Sequence, residues 1–295
     1  MNIGLLIIDW QPKIEAFSIG SLSVRWYSLL WAIGLLAAFF IVQKLYKQQG
    51  IPKEKFDPLF FYCFIGILIG ARLGHCLFYE PAYFLGSGKG IIEMLLPIRF
   101  APDSWDWHFT GFSGLASHGG AIGLFLAMVL YTRQTKVPSL VVWDNIAIAT
   151  PLTACCIRLG NLMNSEIIGN PTDLPWGFIF HNSDGLVDGV LAPRHPAQLY
   201  EAIAYLIIFI LGVCIYNRSW KNTAGKKPFP VVGSGFYFGF CMATIFTFRF
   251  FIEFLKKEQV DFEKGMALDM GQLLSIPFII AGIWFMIRKT KQTKI

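Results

Sequence analysis

Apolar runs of about 20 residues recur along this chain, bounded by charge or by Pro and Gly, near residues 22–43, 57–80, 111–132, 139–162, 196–216, 230–254 and 269–288. A run of that length matches the ~30 Å hydrocarbon core of a bilayer, where each backbone polar group must find its partner within the chain. The pattern therefore predicts an all-α polytopic membrane protein with about seven transmembrane helices. Charge content agrees, since 15% of residues are charged against roughly 25% in a soluble chain. The mean hydropathy of +0.53 excludes a disordered or collagen-like chain. The six cysteines lie inside apolar runs without metal-type spacing, so they read as packing residues and not as a disulfide framework.

A net charge of +6 would suggest nucleic acid as the partner of a soluble protein. In a membrane chain the position of the cations matters more than their number. Connections holding Lys44, Lys47, Lys53, Lys55, Arg133, Lys136, Arg218, Lys221, Lys226, Lys227, Arg288, Lys289, Lys291 and Lys294 carry 14 cations. The alternate set, Lys13, Lys89, Arg99, Arg194, Lys256, Lys257 and Lys264, carries 7. This bias predicts an external N-terminus and a cytoplasmic C-terminus, with no role for nucleic acid. The first run lacks a preceding basic region and a small-residue cleavage site, so it reads as a retained span. The expected organisation is a single integral-membrane domain over 1–295, with residues 163–195 as a small external cap between spans four and five. The aromatic stretch Trp105, Trp107 and Phe109 suits a membrane interface.

Four arginines remain: Arg25, Arg72, Arg158 and Arg249 fall in or at the edge of spans. An arginine in hydrocarbon costs at least ~2.5–3.5 kcal/mol on insertion scales, so each needs a partner or an aqueous cavity. Four polar constellations accompany them. Gly111 to Gly123 opens span three with many small residues, which permit close helix packing, and with His118, which is able to take or relay a proton or simply to satisfy a structural hydrogen bond. Arg158, Asn161 and Asn164 recur every three residues and so project along one side of a helix. One cation and two amides suit a phosphate, while Glu166 close by could pair with an external cation. His195, Gln198 and Glu201 follow Arg194 at the entry to span five, and His195 is either a second base or a hydrogen-bonding residue of the cap. Arg249 and Glu253 are four apart, a spacing that allows an ion pair; Arg72 and His75 form a weaker pair on span two.

Taken in order, Arg25-Trp26-Tyr27, Gly70-Ala71-Arg72-Leu73-Gly74, Ser117-His118-Gly119-Gly120, the Arg158–Glu166 run, Arg194-His195-Pro196-Ala197-Gln198-Leu199-Tyr200-Glu201, Arg249 with Glu253, and Met270–Pro277 cover essentially the whole chain. In this the sequence resembles the prolipoprotein diacylglyceryl transferase family of the bacterial inner membrane. It departs from the family at Ile245, where a Tyr is common one turn before the span-six arginine, so no role for that phenol carries over. Ser165 stands where Gly is common. The resemblance implies transfer of the sn-1,2-diacylglyceryl group from phosphatidylglycerol to the thiol of a lipobox cysteine in a prolipoprotein signal peptide, with glycerol 1-phosphate released. It calls for no cofactor and no metal, and a monomer would suffice.

A thiol with a pKa of ~8.5 needs a base near neutral pH, and His118 is the candidate. Arg158 and Arg249 would stabilise charge on the departing phosphate. Tyr27, Arg72, Gly119, Gly120, Asn161, Asn164, Glu166, Glu201 and Glu253 would bind or frame the substrates, with His195 and Gln198 as secondary candidates. The competing reading is a secondary transporter or channel, with intramembrane Arg, Glu and His lining a pathway. The absence of an evident inverted repeat and the outward bias of this polarity weigh against it.

Overall fold

A computed structural model describes residues 7–20, 22–109, 114–183, 186–187, 190–221, 230–256 and 268–288. Gly111, Phe112 and Ser113, the turn residues Asp184 and Gly185, and the counted cations Lys226, Lys227, Lys257, Lys264, Lys289, Lys291 and Lys294 lie outside the described residues.

Helices dominate. They are α1 (Trp26–Gln48), α2 (Lys53–Phe78), α3 (Pro81–Leu85), α4 (Gly88–Leu95), α5 (Ser117–Thr135), α6 (Ser139–Met163), α7 (Ala197–Lys221), α8 (Phe236–Ile252), prolonged by a 3₁₀ turn over Glu253–Leu255, and α9 (Met270–Ile287). Six of them, α1, α2, α6, α7, α8 with its 3₁₀ turn, and α9, are long and apolar enough to cross a membrane. The 19-residue α5 corresponds to the remaining expected run.

The all-α expectation needs one correction. Short two-stranded ribbons occupy the connections: β1 (Ile8–Trp10) pairs in parallel with β6 (Phe178–Phe180), and β2 (Glu15–Ile19) pairs antiparallel with β3 (Leu22–Arg25). Two further antiparallel pairs join β4 (Ile98–Phe100) to β5 (Trp107–Phe109) and β7 (Leu186–Val187) to β8 (Val190–Leu191). Strands of two to five residues are too short for an alternating pattern to stand out, so they leave no trace in a search for apolar runs.

The chain forms two compact units. One comprises Tyr46–Val142, and the other the segments before and after it. In the Tyr46–Val142 unit, α2 and α5 cross with almost no side chain between them. A Cβ on Gly119 would lie 2.2 Å from the Gly70 carbonyl oxygen, and one on Gly123 would lie 2.0 Å from that of Gly66. Gly66, Gly70 and Gly74 recur every four residues, as do Gly119 and Gly123, so each helix presents one smooth stripe. The polar side of this unit is tied down by Glu93, which is buried. Its carboxylate accepts from Tyr83 Oη at 2.5 Å and from the Phe100 amide at 2.7 Å, joining α3, α4 and β4. Trp105, Trp107 and Phe109 stay exposed.

In the other unit, α8 and α9 use the same device, with Gly239 and Ala243 against Gly282. Asp144 on α6 is wholly buried, and its carboxylate accepts from the amides of Gly233, Gly235 and Phe238 at 2.8–2.9 Å. These amides include the start of α8, where the Phe236 amide also donates to Ser234 Oγ at 3.2 Å, so the acid and this hydroxyl together fix where that helix begins. Around the connection that follows α6, Trp10 donates to the Leu162 carbonyl at 3.0 Å, and Leu162, Ile168, Phe178 and Phe180 form a small core.

Candidate active site

The densest polar cluster of the larger unit lies where the last turn of α6, the first turns of α7 and the end of α8 converge. α6 stops at Met163 because the chain folds back on itself: the Glu166 amide donates to the Asn161 carbonyl, with Ser165 at φ 55° and Ile167 at φ 57°. Left-handed backbone at residues with a Cβ costs roughly 1–2 kcal/mol each. The turn is held from outside, for Gln198, fully buried, donates through its side-chain amide to the Glu166 carbonyl. The fold thereby brings the Glu166 carboxylate back over the helix end. Asn161 Nδ2 and Asn164 Nδ2 each donate to it at 3.0 Å. The expected external cation for Glu166 is replaced by these two amides.

Arg158 sits one turn deeper, with its side chain 14% exposed. Its Nε lies 3.1 Å from Glu201 Oε2, and its Nη1 donates to Asn161 Oδ1 at 3.3 Å. Glu201 is fully buried, and its Oε1 accepts from Tyr205 Oη at 3.0 Å. A buried carboxylate without a countercharge would be strongly unfavourable, so Glu201 and Arg158 each make the other's burial tolerable. Tyr27 on α1 packs over the same helix end: a Cβ on Gly160 would lie 2.9 Å from its ring, and the phenol is within electrostatic reach of Arg158 and Glu166. Arg158, Asn161, Asn164, Glu166, Gln198, Glu201 and Tyr27, expected to share a site, do come together.

Glu253 joins this cluster, though not as the sequence spacing suggested. After Ile252 the chain tightens into the 3₁₀ turn, which carries Lys256 back over Glu253. Lys256 Nζ then lies 2.8 Å from Glu253 Oε2 and 3.4 Å from Glu201 Oε1. The expected Arg249–Glu253 ion pair is therefore replaced by Lys256–Glu253. Arg249 has no hydrogen-bonding or ion-pair partner among the described residues, and it lies within electrostatic reach of Tyr205. Ile245, one turn earlier, packs against a core of Cys155, Ala202, Tyr205 and Ile208.

His195 and its neighbour serve the connection between α6 and α7. The backbone of His195 exchanges hydrogen bonds with Gly169 and Asn170, and its Nδ1 lies 3.4 Å from Tyr200 Oη. Burial pushes its pKa down. Arg194, unlike the half-buried His195, is buried, and it donates to the Gly169 carbonyl at 3.1 Å.

The Tyr46–Val142 unit holds the remaining expected residues. His118 is exposed in the first turn of α5. Gly119 and Gly120 follow it; Gly119 is closed by the α2 backbone, whereas a Cβ on Gly120 would meet only ordinary contacts at 3.5 Å and beyond. Arg72 is turned towards α4: its Nη2 donates to the Glu93 carbonyl at 2.7 Å, and its guanidinium lies over the Phe84 ring at 4.9 Å. These contacts make its burial affordable without a ligand. His75 Nε2 lies 3.4 Å from Glu80 Oε1.

Sequence reasoning missed Lys256, which it counted among external cations, and Tyr205, which lies inside the apolar run of span five. The only trace of the first is its spacing of three from Glu253. The trace of the second is its spacing of four from Glu201 on α7.

The cluster can bind an anion beside a fixed guanidinium and offers acceptors, the Glu166 carboxylate among them, to hydroxyl groups. Comparison with known proteins gives this geometry a context. The family model described as prolipoprotein diacylglyceryl transferase matches residues 14–288. A protein of Bacteroides fragilis named phosphatidylglycerol–prolipoprotein diacylglyceryl transferase is 54% identical over 286 residues, covering 97% of this chain and 96% of that one. Proteins of the same name from Tolumonas auensis and Chloroherpeton thalassium are 40% and 38% identical, covering 97% and 98% of this chain and 99% and 96% of their own. With the match running through both compact units, the chain belongs to the prolipoprotein diacylglyceryl transferase family.

Proposed function

We propose that this protein transfers the sn-1,2-diacylglyceryl group of phosphatidylglycerol to the thiol of a lipobox cysteine in a prolipoprotein signal peptide. Family membership favours this reading over a transporter or channel. The observation that carries the chemistry is Arg158, fixed through Nε by the buried Glu201, which leaves guanidinium N–H groups to meet a phosphate.

In this reading His118 accepts the thiol proton. The thiolate attacks the glyceryl carbon that bears the phosphoester, a C–S bond forms as the C–O bond breaks, and the electron pair leaves on the phosphate oxygen. Glycerol 1-phosphate departs, and the thiol proton ends on it or in water. Arg158 and Arg249 hold the phosphate as its charge grows, in a site where low polarity strengthens such contacts. Asn164 Oδ1, buried and without a hydrogen-bond partner among the described residues, and the Glu166 carboxylate accept from headgroup hydroxyls. Asn161 relays the position of Glu166 to Arg158, and Tyr27 closes the pocket over Gly160. Gly120 leaves room beside His118. Glu253 acts through Lys256.

The accompanying topology has α5 as the seventh span, an external N-terminus, a cytoplasmic C-terminus and residues 163–195 as an external cap, in the bacterial inner membrane. Its support is the cation bias and the outward side that a signal-peptide substrate presents. The test incubates purified protein with phosphatidylglycerol and a fluorescent lipobox peptide. A diacylglyceryl mass gain on the cysteine, with glycerol phosphate released, is expected; folded protein giving neither product refutes the proposal.

A further inference from the structure

Lys256 is an unusual residue to find buried. Its side chain is 3% exposed, it sits at the end of an apolar helix, and burying an ammonium is costly unless close countercharges offset it. Two carboxylates supply that offset, Glu253 at 2.8 Å and Glu201 at 3.4 Å. The position is fixed from the backbone too, since the Lys256 amide donates to the Glu253 carbonyl at 3.0 Å and the residue bridges to Gly169. Glu253 in turn is held against α9, where a Cβ on Gly271 would lie 2.4 Å from its Oε1.

Arg249 stands one helical turn before Glu253, at the i,i+4 spacing at which an arginine and a glutamate normally meet. It makes no ion pair among the described residues, because Lys256 already occupies Glu253. We infer that Lys256 is a positioning residue whose task is to occupy Glu253 and so keep the Arg249 guanidinium unpaired for an anionic lipid headgroup.

The charges agree with this. The cluster, buried at Glu201 and Lys256 and half-buried at Arg158, Arg249 and Glu253, carries a surplus of one positive charge, which complements the single charge of a phosphodiester. Without Lys256 the Glu253 carboxylate would be free to take Arg249 at the i,i+4 spacing, and one guanidinium fewer would face the ligand. Glu166 lies beyond Asn161 and is exposed, so water and salt screen it. The inference deepens the transferase reading and rests on its placing a phosphate at Arg158 and Arg249.

The experiment measures the equilibrium affinity of the detergent-solubilised full-length protein for fluorescently labelled phosphatidylglycerol, which needs no turnover, for wild type, Lys256→Met, Lys256→Arg, Glu253→Gln and the Glu253→Gln/Lys256→Met double variant. Loss of one effective charge at the ligand predicts Kd raised about tenfold or more in Lys256→Met, with Lys256→Arg within about threefold of wild type. In the Glu253→Gln background no carboxylate is left at that position to capture Arg249, so adding Lys256→Met should change Kd by less than about threefold. Wild-type affinity in Lys256→Met, or the same loss in both backgrounds, overturns the inference. If Lys256→Met alone does not fold, the comparison within the Glu253→Gln background decides: near-equality supports the role and a tenfold loss refutes it. Peptide transfer by wild type, assayed separately, reports on the transferase reading itself.

Discussion

Replacing Arg158 by lysine keeps the charge and removes the fork. In the proposed reading the guanidinium divides its tasks: Nε faces Glu201 at 3.1 Å, Nη1 donates to Asn161 at 3.3 Å, and the N–H groups left over, beside the Tyr205 phenol, meet the phosphate. A lysine at this depth has one nitrogen to reach the buried Glu201, whose charge at 0% exposure cannot be left alone. It will therefore satisfy Glu201 and give up the phosphate. Hydrogen bonds to charged groups contribute about 1.5–3 kcal/mol each, and a bidentate grip on phosphate forfeits up to two. The loss of transition-state stabilisation is about 3–6 kcal/mol, a fall in kcat/KM on the order of 10²- to 10⁴-fold. Peptide lipidation at varied phosphatidylglycerol content, compared at equal amounts of folded protein, measures it. Activity of Arg158→Lys within about threefold of wild type would show that a point charge suffices and that the fork is not what binds the phosphate.

Loss of a general base lowers rates by roughly 10²–10⁴-fold, so His118→Ala should lose transfer to that extent while its thermal midpoint in detergent is unchanged; near-wild-type lipidation across several pH values would remove the base role. Gly123→Ala and Gly120→Ala separate packing from binding on α5. The first places a methyl 2.0 Å from a backbone oxygen and should destabilise by about 1–3 kcal/mol, read as a lowered midpoint; the second meets nothing closer than 3.5 Å, so its midpoint should hold, and a drop in transfer there marks room that the substrate needs. His195, with its pKa held below the ordinary 6.5 by burial, stays neutral in the folded chain while the unfolded chain takes up a proton. Stability from this group is therefore present above pH 6.5 and is lost as pH falls below it. His195→Gln should flatten the midpoint between pH 7.5 and pH 5, and an unchanged slope would assign the acid sensitivity elsewhere.

What the sequence made legible follows from the length scale of each force. Six of the seven expected apolar runs became helices that meet the length and hydropathy of a membrane span, with ends close to the expected ones, because a bilayer fixes length and composition together. Arg158, Asn161 and Asn164 were legible because they recur every three residues at the end of one helix, whereas Glu166 joins them only through the turn that follows Met163. The ribbons and the short helices α3 and α4 were not, since their pairings depend on contacts such as Glu93 with Phe100 that form only after the chain closes. Ser165 was visible only as a departure from a common glycine; its positive φ explains why glycine suits that position. Lys256 is the most instructive miss. In a tally of connections it is one external cation among 7, and removing it leaves 6 against 14, so the inferred orientation does not depend on it. Yet the same charge, carried inward by one tight turn, changes the partner of Glu253 and with it the state of Arg249. A cation beside a span marks a side of the membrane only if water can reach it; when the next turn folds it onto an acid, it belongs to the site's charge balance, and its sequence neighbours alone do not tell the two apart.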